Sequence, residues 1–378
     1  MDKNILIITG EPSGDMRAGE LLKELRPMMP GVRFWGIGGA HMRKQGAELT
    51  EDISNLSIVG AWEAVVKLPL VRRQYRDVAA HVREKKPMLA VLIDYPGFNL
   101  RVARFLHKEN IPVVYYVIPQ VWAWGRERVK LLKKYVSKAL VLFKFEEDFL
   151  RQRGVNCQFV GHPLMDKAPA LPSSGKAARN DKSGFTIALL PGSRKAEIQK
   201  ILPVMLAAAE TLAEARGDID LLIAESSIID KSLYDSFLDR HKGLRVSRVT
   251  DDTFRALERS DLAIVASGTA TLEAAIMERP MVIVYRVAFL TAMLFRLFIR
   301  MSYIGLPNIV AGWKEVVPEL LQHNATPEKL SGKVLELMND PARMEKMRED
   351  LREVKGMLGE KGASRRAAEA VSLFAKGL

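Results

Sequence analysis

The residues most able to do chemistry sit just after short apolar runs. Asp94 follows Met88–Leu92 and opens the string Asp94-Tyr95-Pro96-Gly97-Phe98-Asn99. In parallel α/β sheets, ligands bind beyond the carboxyl ends of strands, so a carboxylate there can meet a substrate. The competing reading is an Asx turn or a cap for the helix that follows. Thr9-Gly10-Glu11-Pro12-Ser13-Gly14-Asp15 follows the first apolar run. Its two glycines allow close backbone approach, and Ser13 could cap a helix whose N-terminus favours an anion. Glu11 has little turn-forming work to do there, which points toward a functional carboxylate. Leu190-Pro191-Gly192-Ser193-Arg194-Lys195 offers consecutive N–H groups, a helix N-terminus and a guanidinium fork suited to phosphate. Ala266-Ser267-Gly268-Thr269-Ala270-Thr271-Leu272-Glu273 repeats that logic, with Glu273 placed to accept from ribose hydroxyls or to complement the helix dipole. Two such loops in one half suit a nucleotide diphosphate. Pro119-Gln120-Val121-Trp122-Ala123-Trp124 presents two indoles that either pack inside or form a wall against a sugar face.

These loops need strands and helices to hold them. Strand-length runs at Ile5–Thr9, Met88–Asp94, Pro112–Val117, Ala139–Phe143 and Cys157–Val160 alternate with helix-period segments. Continuous rather than alternating apolar character marks buried parallel strands, and alternation with helices marks βαβ units. Lys167–Ser183, rich in Ala, Pro, Ser and Gly, reads as a linker. The alternation then restarts from Phe185–Leu190. The expected architecture is α/β: two Rossmann-like parallel-sheet domains, 1–166 and 184–341, facing each other across a cleft. The last fifty residues read as helical and charged.

Composition narrows the classes. The chain has 378 residues, 48% hydrophobic and 27% charged, which excludes disorder over most of its length. One cysteine excludes an intrachain disulfide and a cysteine-clustered zinc site. Six scattered histidines give no i,i+4 pair, so no metal site is expected. The first apolar run is too short for a signal-peptide core, and a cytoplasmic setting follows as the default. A net charge of +12 favours anionic partners, whether nucleic acid, phosphorylated ligands or an acidic membrane face. Helix-turn-helix, RNP and zinc-finger signatures are missing, so no nucleic-acid partner is expected. Val287–Leu306 is the nearest approach to a spanning segment, and Arg296 and Arg300 interrupt it. Trp62, Val65, Val66, Leu68 and Leu70 followed by Arg72, Arg73 and Arg76 resemble an interfacial segment, against the reading of a buried helix with a basic rim.

The strings GEPSGD (10–15), GIGG (36–39), IDYPGFN (93–99), PQVWAW (119–124), VGHPLMD (160–166), LLPGSR (189–194), ASGTATLE (266–273) and LPNIVAG (306–312) resemble, in order and spacing, those of the lipid A disaccharide synthase family. The resemblance runs from residue 4 to about residue 340. It implies a GT-B glycosyltransferase of Gram-negative bacteria that joins UDP-2,3-diacylglucosamine to 2,3-diacylglucosamine 1-phosphate (lipid X) and releases UDP. It also implies no cofactor or metal and a peripheral place on the cytoplasmic face of the inner membrane. The resemblance further implies that the C-terminal helices, about 342–378, cross back to the first domain; dimers exchanging C-terminal portions are a feature of that family.

Position by position, Asp94 resembles the family's essential aspartate and Glu11 the glutamate of its first loop. Arg194, Glu273 and Asn308 resemble residues lining the UDP pocket, joined there by Gly192, Ser193, Ser267, Gly268 and Thr269. Ser13, Gly14, Gln120, Trp122 and His162 are assigned to the acceptor side. Gly97 stands where many relatives carry a second aspartate, and Ile118 where a serine is common. The rival readings are another UDP-sugar GT-B transferase, a UDP-N-acetylglucosamine 2-epimerase-like enzyme, or a basic nucleic-acid-binding protein.

Overall fold

The computed structural model describes residues 3–53, 68–122, 125, 127–170, 184–286 and 303–378. The chain divides into two units, Met1–Asp166 with Leu358–Leu378, and Lys167–Met357. Most of the linker expected at 167–183 lies outside the described residues.

In the first unit β1 (Asn4–Ile8), α1 (Pro12–Met28), β2 (Arg33–Gly38), α2 (Ala40–Lys44) and β3 (Glu48–Asp52) come first. α3 (Leu68–Lys85), β4 (Leu89–Ile93), α4 (Pro96–Lys108), β5 (Val113–Tyr116) and α5 (Glu127–Tyr135) follow. β6 (Lys138–Val141), α6 (Lys144–Arg151), β7 (Cys157–Phe159) and α7 (Leu164–Lys167) complete it. The sheet is wholly parallel, in the order β3-β2-β1-β4-β5-β6-β7. Ile5–Ile8 and Leu89–Ile93 are fully buried because helices cover both faces of these central strands. Each such aliphatic side chain stabilises the fold by about 1.5–3 kcal/mol.

The second unit repeats the plan with β8 (Phe185–Leu190), α8 (Lys195–Ala215), β9 (Ile219–Glu225), α9 (Lys231–Leu238), β10 (Val246–Thr250) and α10 (Thr253–Glu258). Next come β11 (Leu262–Ala266), α11 (Thr269–Ile276), β12 (Met281–Tyr285), α12 (Leu306–Val310) and β13 (Glu319–Leu321). The order β10-β9-β8-β11-β12-β13 is again parallel. Both sheets therefore reverse direction at the central pair, β1/β4 and β8/β11. That switch point is where ligands bind in open α/β sheets.

α13 (Pro327–Met338), α14 (Pro341–Met357) and α15 (Ala363–Lys376) end the chain. The return to the first unit falls at Leu358 rather than near residue 342. α14 stays with the second unit because Met344, Met347, Leu351 and Val354 are buried and Glu278 pairs with Arg352 and Lys355 at 2.9 and 3.1 Å. α15 alone crosses back and packs along α1.

One carboxylate fastens that crossing. Asp166 accepts from the N–H groups of Ala363 and Ser364, each at 3.0 Å, and of Gly362 at 2.5 Å. Burial alone would raise its pKa, but these donors outweigh burial and hold it below the ordinary 3.8. A group with a depressed folded pKa stabilises above its unfolded value and stops doing so as the pH falls through the folded one. Asp166→Ala is therefore expected to lower stability at pH 7 by about 1–2 kcal/mol, as loss of a helix cap does. The gap in urea midpoint between variant and wild type should close as the pH drops below 3.8.

Candidate active site

The turn from β4 into α4 is left-handed twice over, with φ of 51° at Asp94 and 49° at Tyr95. Asn99 is fully buried and donates its side-chain amide to the carbonyls of Ile93 and Asp94 at 3.2 and 2.8 Å. The Tyr115 hydroxyl donates to the same Asp94 carbonyl at 2.7 Å. Tyr95, not Asp94, occupies the cap position of α4, and no side chain caps the helix. The Asp94 carboxylate is thus left for another partner. It lies 3.6 Å from the Arg17 guanidinium, with 32% of its side chain exposed. Burial raises its pKa, while the Arg17 charge and the Tyr95 N–H oppose that rise.

Arg17 escaped the reading of the sequence. The signal was its place on α1, one turn beyond the GEPSGD loop, where a helix that starts at a strand end still borders the site. Its charge also bears on Tyr116 and His162. α1 begins at Pro12, so Glu11 is the N-cap residue and Ser13 lies inside the first turn rather than capping it. Glu11 is exposed, and its charge raises the Tyr95 hydroxyl pKa after burial and Glu51. Gly14 lets α1 sit against the strand ends, since a Cβ there would meet the Thr9 hydroxyl at 2.7 Å. Asp15, assigned no role from sequence, accepts from the N–H groups of Gly39, His41 and Met42 at 2.7, 2.9 and 3.1 Å. It thereby ties the GIGG string to the first loop. Gly97 faces open space.

Other acceptor-side residues act differently from expectation. Gln120 is exposed. Trp122 keeps only 8% of its surface, donates to Glu146 at 2.9 Å and packs edge-on against Phe145. Its indole is a packing element and not a sugar wall; Trp124 lies outside the described residues. Burial pushes Glu146 up to about 7 against the bonds from Trp122, Phe143 and Leu142. His162 is also buried, and burial, with Arg17 adding to it, pushes it down to about 3. Neutral at physiological pH, its Nδ1 accepts from the Leu164 N–H at 3.2 Å, so it holds the start of α7.

In the second unit Gly192 has φ of 104°, and a Cβ there would meet the Glu197 carboxylate at 2.7 Å. Ser193 and Arg194 follow, both exposed, with Arg194 as the N-cap residue of α8. Its guanidinium lies 3.1 Å from Glu197 and is 70% exposed. Tyr285, at the end of β12, is raised by burial and feels both Glu197 and Arg194. Both partners were missed because neither belongs to a glycine-rich string; the end-of-strand position of Tyr285 was the available cue.

At the end of β11, Ser267 donates to the Ile304 carbonyl at 3.4 Å, while Gly268 and Thr269 are exposed at the start of α11. The first amides of a helix have no partner within it, so this turn is open to an anion. Glu273 is half-buried, and burial raises its pKa over the effects of Thr253 and Lys167.

Asn308, expected beside the nucleotide, has its side chain turned into the protein. It is fully buried; its amide donates to the Val317 carbonyl and Glu319 at 2.8 and 2.7 Å, and its oxygen accepts from Val316 and Val317 at 2.7 and 2.9 Å. Every bonding position of the side chain is taken by the protein itself. Glu319, whose pKa burial raises, also takes the N–H groups of Ile304 and Gly305.

Of the expected membrane segment, Trp62, Val65 and Val66 lie outside the described residues, and α3 begins at Leu68. Leu70 is half-buried against the core, whereas Arg72, Arg73 and Arg76 are exposed. Residues 287–302, including most of the second apolar stretch, are likewise outside the described residues. Among the described residues no helix is long and apolar enough to cross a membrane.

Two Rossmann-like units, each a parallel sheet whose strand order reverses at a central pair, make up the GT-B fold. Solved structures share the fold: a UDP-GlcNAc 2-epimerase from Neisseria meningitidis bound to UDP-GlcNAc, at TM-score 0.64 and 12% identity over 97% of this chain and 99% of that one. The glycosyltransferase of kitacinnamycin follows at TM-score 0.62 and 16% identity, covering 98% of each. The family described as lipid-A-disaccharide synthetase matches residues 5–374, and the chain belongs to it. Lipid-A-disaccharide synthase of Myxococcus xanthus (strain DK1622) is 40% identical over 97% of this chain and 96% of its own length. The Koribacter versatilis (strain Ellin345) enzyme is 38% identical over 98% of both. The epimerase likeness is one of fold alone, and the protein is a glycosyltransferase of lipid A biosynthesis.

Asn308→Ala would strand the buried Val316 and Val317 N–H groups. It should destabilise the protein by at least about 2 kcal/mol, seen as a lowered Tm, while the folded fraction keeps its UDP affinity.

Proposed function

We propose that this chain transfers the sugar of UDP-2,3-diacylglucosamine to the 6-hydroxyl of 2,3-diacylglucosamine 1-phosphate (lipid X), with inversion. The products are the β-1,6-linked disaccharide 1-phosphate and UDP. The observation that carries the reading is the Asp94 carboxylate, released from capping duty and poised at a strand end beside Arg17.

In this reading Asp94 accepts the acceptor's hydroxyl proton as that oxygen bonds to the anomeric carbon. The bond from that carbon to the diphosphate breaks through an oxocarbenium-like state, as in glycoside hydrolysis. Charge growing on UDP is met by Arg194, the Gly192 and Ser193 amides and the start of α11 at Ser267–Thr269. An exposed ion pair is worth about 0–1 kcal/mol, so the Arg194–Glu197 contact yields readily to a diphosphate. Glu273 receives ribose hydroxyls, and Glu11 borders the acceptor's entry. No cofactor is required.

Acylated substrates place the enzyme at a bilayer, since each exposed CH₂ costs about 0.8 kcal/mol. The stretch from Trp62 to Arg76 supplies peripheral contact with the anionic cytoplasmic face of the inner membrane. A homodimer exchanging C-terminal portions belongs to the same reading; α15, which docks on α1, is the element it would exchange.

A UDP-release assay with the two diacylated substrates tests this directly. Asp94→Asn should lower turnover by about 10²–10⁴-fold with UDP binding kept. Arg194→Ala should weaken UDP by about tenfold in calorimetry. Near-normal turnover in the first variant, or activity on acetylated but not acylated glucosamine, contradicts the assignment.

A further inference from the structure

The backbone at Tyr95 runs against its own sequence. A residue before proline is steered toward extended backbone, and Pro96 follows. A helix cap is ordinarily extended as well, and aspartate is a preferred cap where tyrosine is not. Yet Tyr95 caps α4 with φ of 49° and ψ of 54°, and Asp94 before it has φ of 51°. Left to these preferences, Tyr95 would extend and Asp94 would turn its carboxylate toward the first amides of α4. Hydrogen bonds fix the carbonyls of Asp94 and Tyr95, the latter accepting from Phe98 and Asn99 at 3.2 and 2.9 Å. The Tyr95 side chain adds a restraint of another kind.

Its ring stacks on Phe98 with centroids 5.2 Å apart and 25° between the planes, and Phe98 is buried in the core. The ring also lies against Gly10 in the loop after β1. A Cβ on Gly10 would fall 2.3, 2.4 and 2.6 Å from three of the ring carbons, so the ring fills the space of the side chain that glycine lacks. That loop is anchored from its far side. The Thr9 N–H donates to the Ile37 carbonyl at 3.0 Å, and Asp15 holds the amides of Gly39, His41 and Met42. The same loop leads into α1, which carries Arg17 to 3.6 Å from Asp94. Among the described residues the Tyr95 hydroxyl has no hydrogen-bond acceptor, so the ring makes the contacts.

We propose that Tyr95 is a positioning residue. Its ring, clamped between Gly10 and Phe98, holds the β4–α4 turn in its left-handed form and so keeps the Asp94 carboxylate off the helix end and beside Arg17. The inference rests on the reading of Asp94 as the base, and it assigns the Tyr95 hydroxyl no part in the reaction.

The test measures kcat by UDP release and UDP affinity by calorimetry in Tyr95→Phe, Tyr95→Ala and Gly10→Ala, with Asp94→Asn alongside. Tyr95→Phe keeps the clamp and should match wild type. Tyr95→Ala should lower kcat by about 10–10²-fold, the factor that the strain of one such residue represents, with UDP affinity kept. Gly10→Ala crowds the same ring and should also lower kcat. Added to Tyr95→Ala, it should cost nothing further, because the space is then vacant. A Tyr95→Ala protein that melts earlier yet turns over like wild type when folded overturns the proposal. So does Tyr95→Phe impaired as far as Tyr95→Ala, which would give the role to the hydroxyl. Should Tyr95→Ala not fold, Gly10→Ala decides alone, and wild-type kcat there overturns the clamp. Near-normal turnover in Asp94→Asn removes the reading of the base instead, whatever the Tyr95 variants do.

Discussion

The backbone at Asp94 and Tyr95 is the constraint from which the rest follows. Non-glycine residues in sparsely populated conformations cost about 1–3 kcal/mol each, and here two stand in succession. They persist because their surroundings over-determine them. The buried Asn99 amide and the Tyr115 hydroxyl hold the Asp94 carbonyl, the Asp94 N–H donates to the Tyr116 carbonyl at 3.2 Å, and the Tyr95 ring stacks on Phe98. An ordinary strand-to-helix turn would let an aspartate cap the helix and saturate its oxygens. Here the Tyr95 carbonyl takes the Phe98 and Asn99 N–H groups, and the Asp94 carboxylate is left with the Tyr95 N–H and the Arg17 guanidinium.

The same strand order gives the two units opposite chemistry. In the first, the loops after β1 and β4 bring Glu11, Asp94 and Arg17 to the switch point. In the second, the loops after β8 and β11 bring amides, Arg194 and helix starts. Topology fixes where the loops emerge, and side chains decide what each place does. A reaction that must take a proton from an alcohol and receive charge on a diphosphate needs both kinds of loop. In the proposed reading, each unit supplies one of these two kinds of loop.

Most of the central architecture was legible because buried parallel strands are written as continuous apolar runs. Ile5–Ile8, Leu89–Ile93 and Phe185–Leu190 read plainly. β2 and β3 did not: Arg33–Gly38 mixes aromatic and glycine, and the edge strand Glu48–Asp52 is polar because only part of it is covered. The second unit kept α14 because a methionine-lined contact, which no charge pattern announces, holds it there. The strand-end places of Asp94 and Gly192–Arg194 were legible because glycine-rich loop strings mark where the chain leaves the sheet. Trp122, His162 and Asn308 misled because a motif records a residue's presence and not the direction of its bonds. Each of these proves to be engaged within the protein. Arg17, Glu197 and Tyr285 were illegible for the converse reason, being brought to the site by the fold from outside any string.

In the proposed reaction an ionised Asp94 takes the proton, and the Arg17 charge opposes the rise in pKa that burial imposes on it. The pH dependence of kcat for wild type and Arg17→Met measures this most directly. Burial raises the Asp94 pKa and Arg17 opposes the rise, so removing the guanidinium should raise it further. Activity should then fail at higher pH on the acid side, with Arg17→Lys restoring the wild-type limb in part. Superimposable acid limbs for wild type and Arg17→Met would contradict the claim.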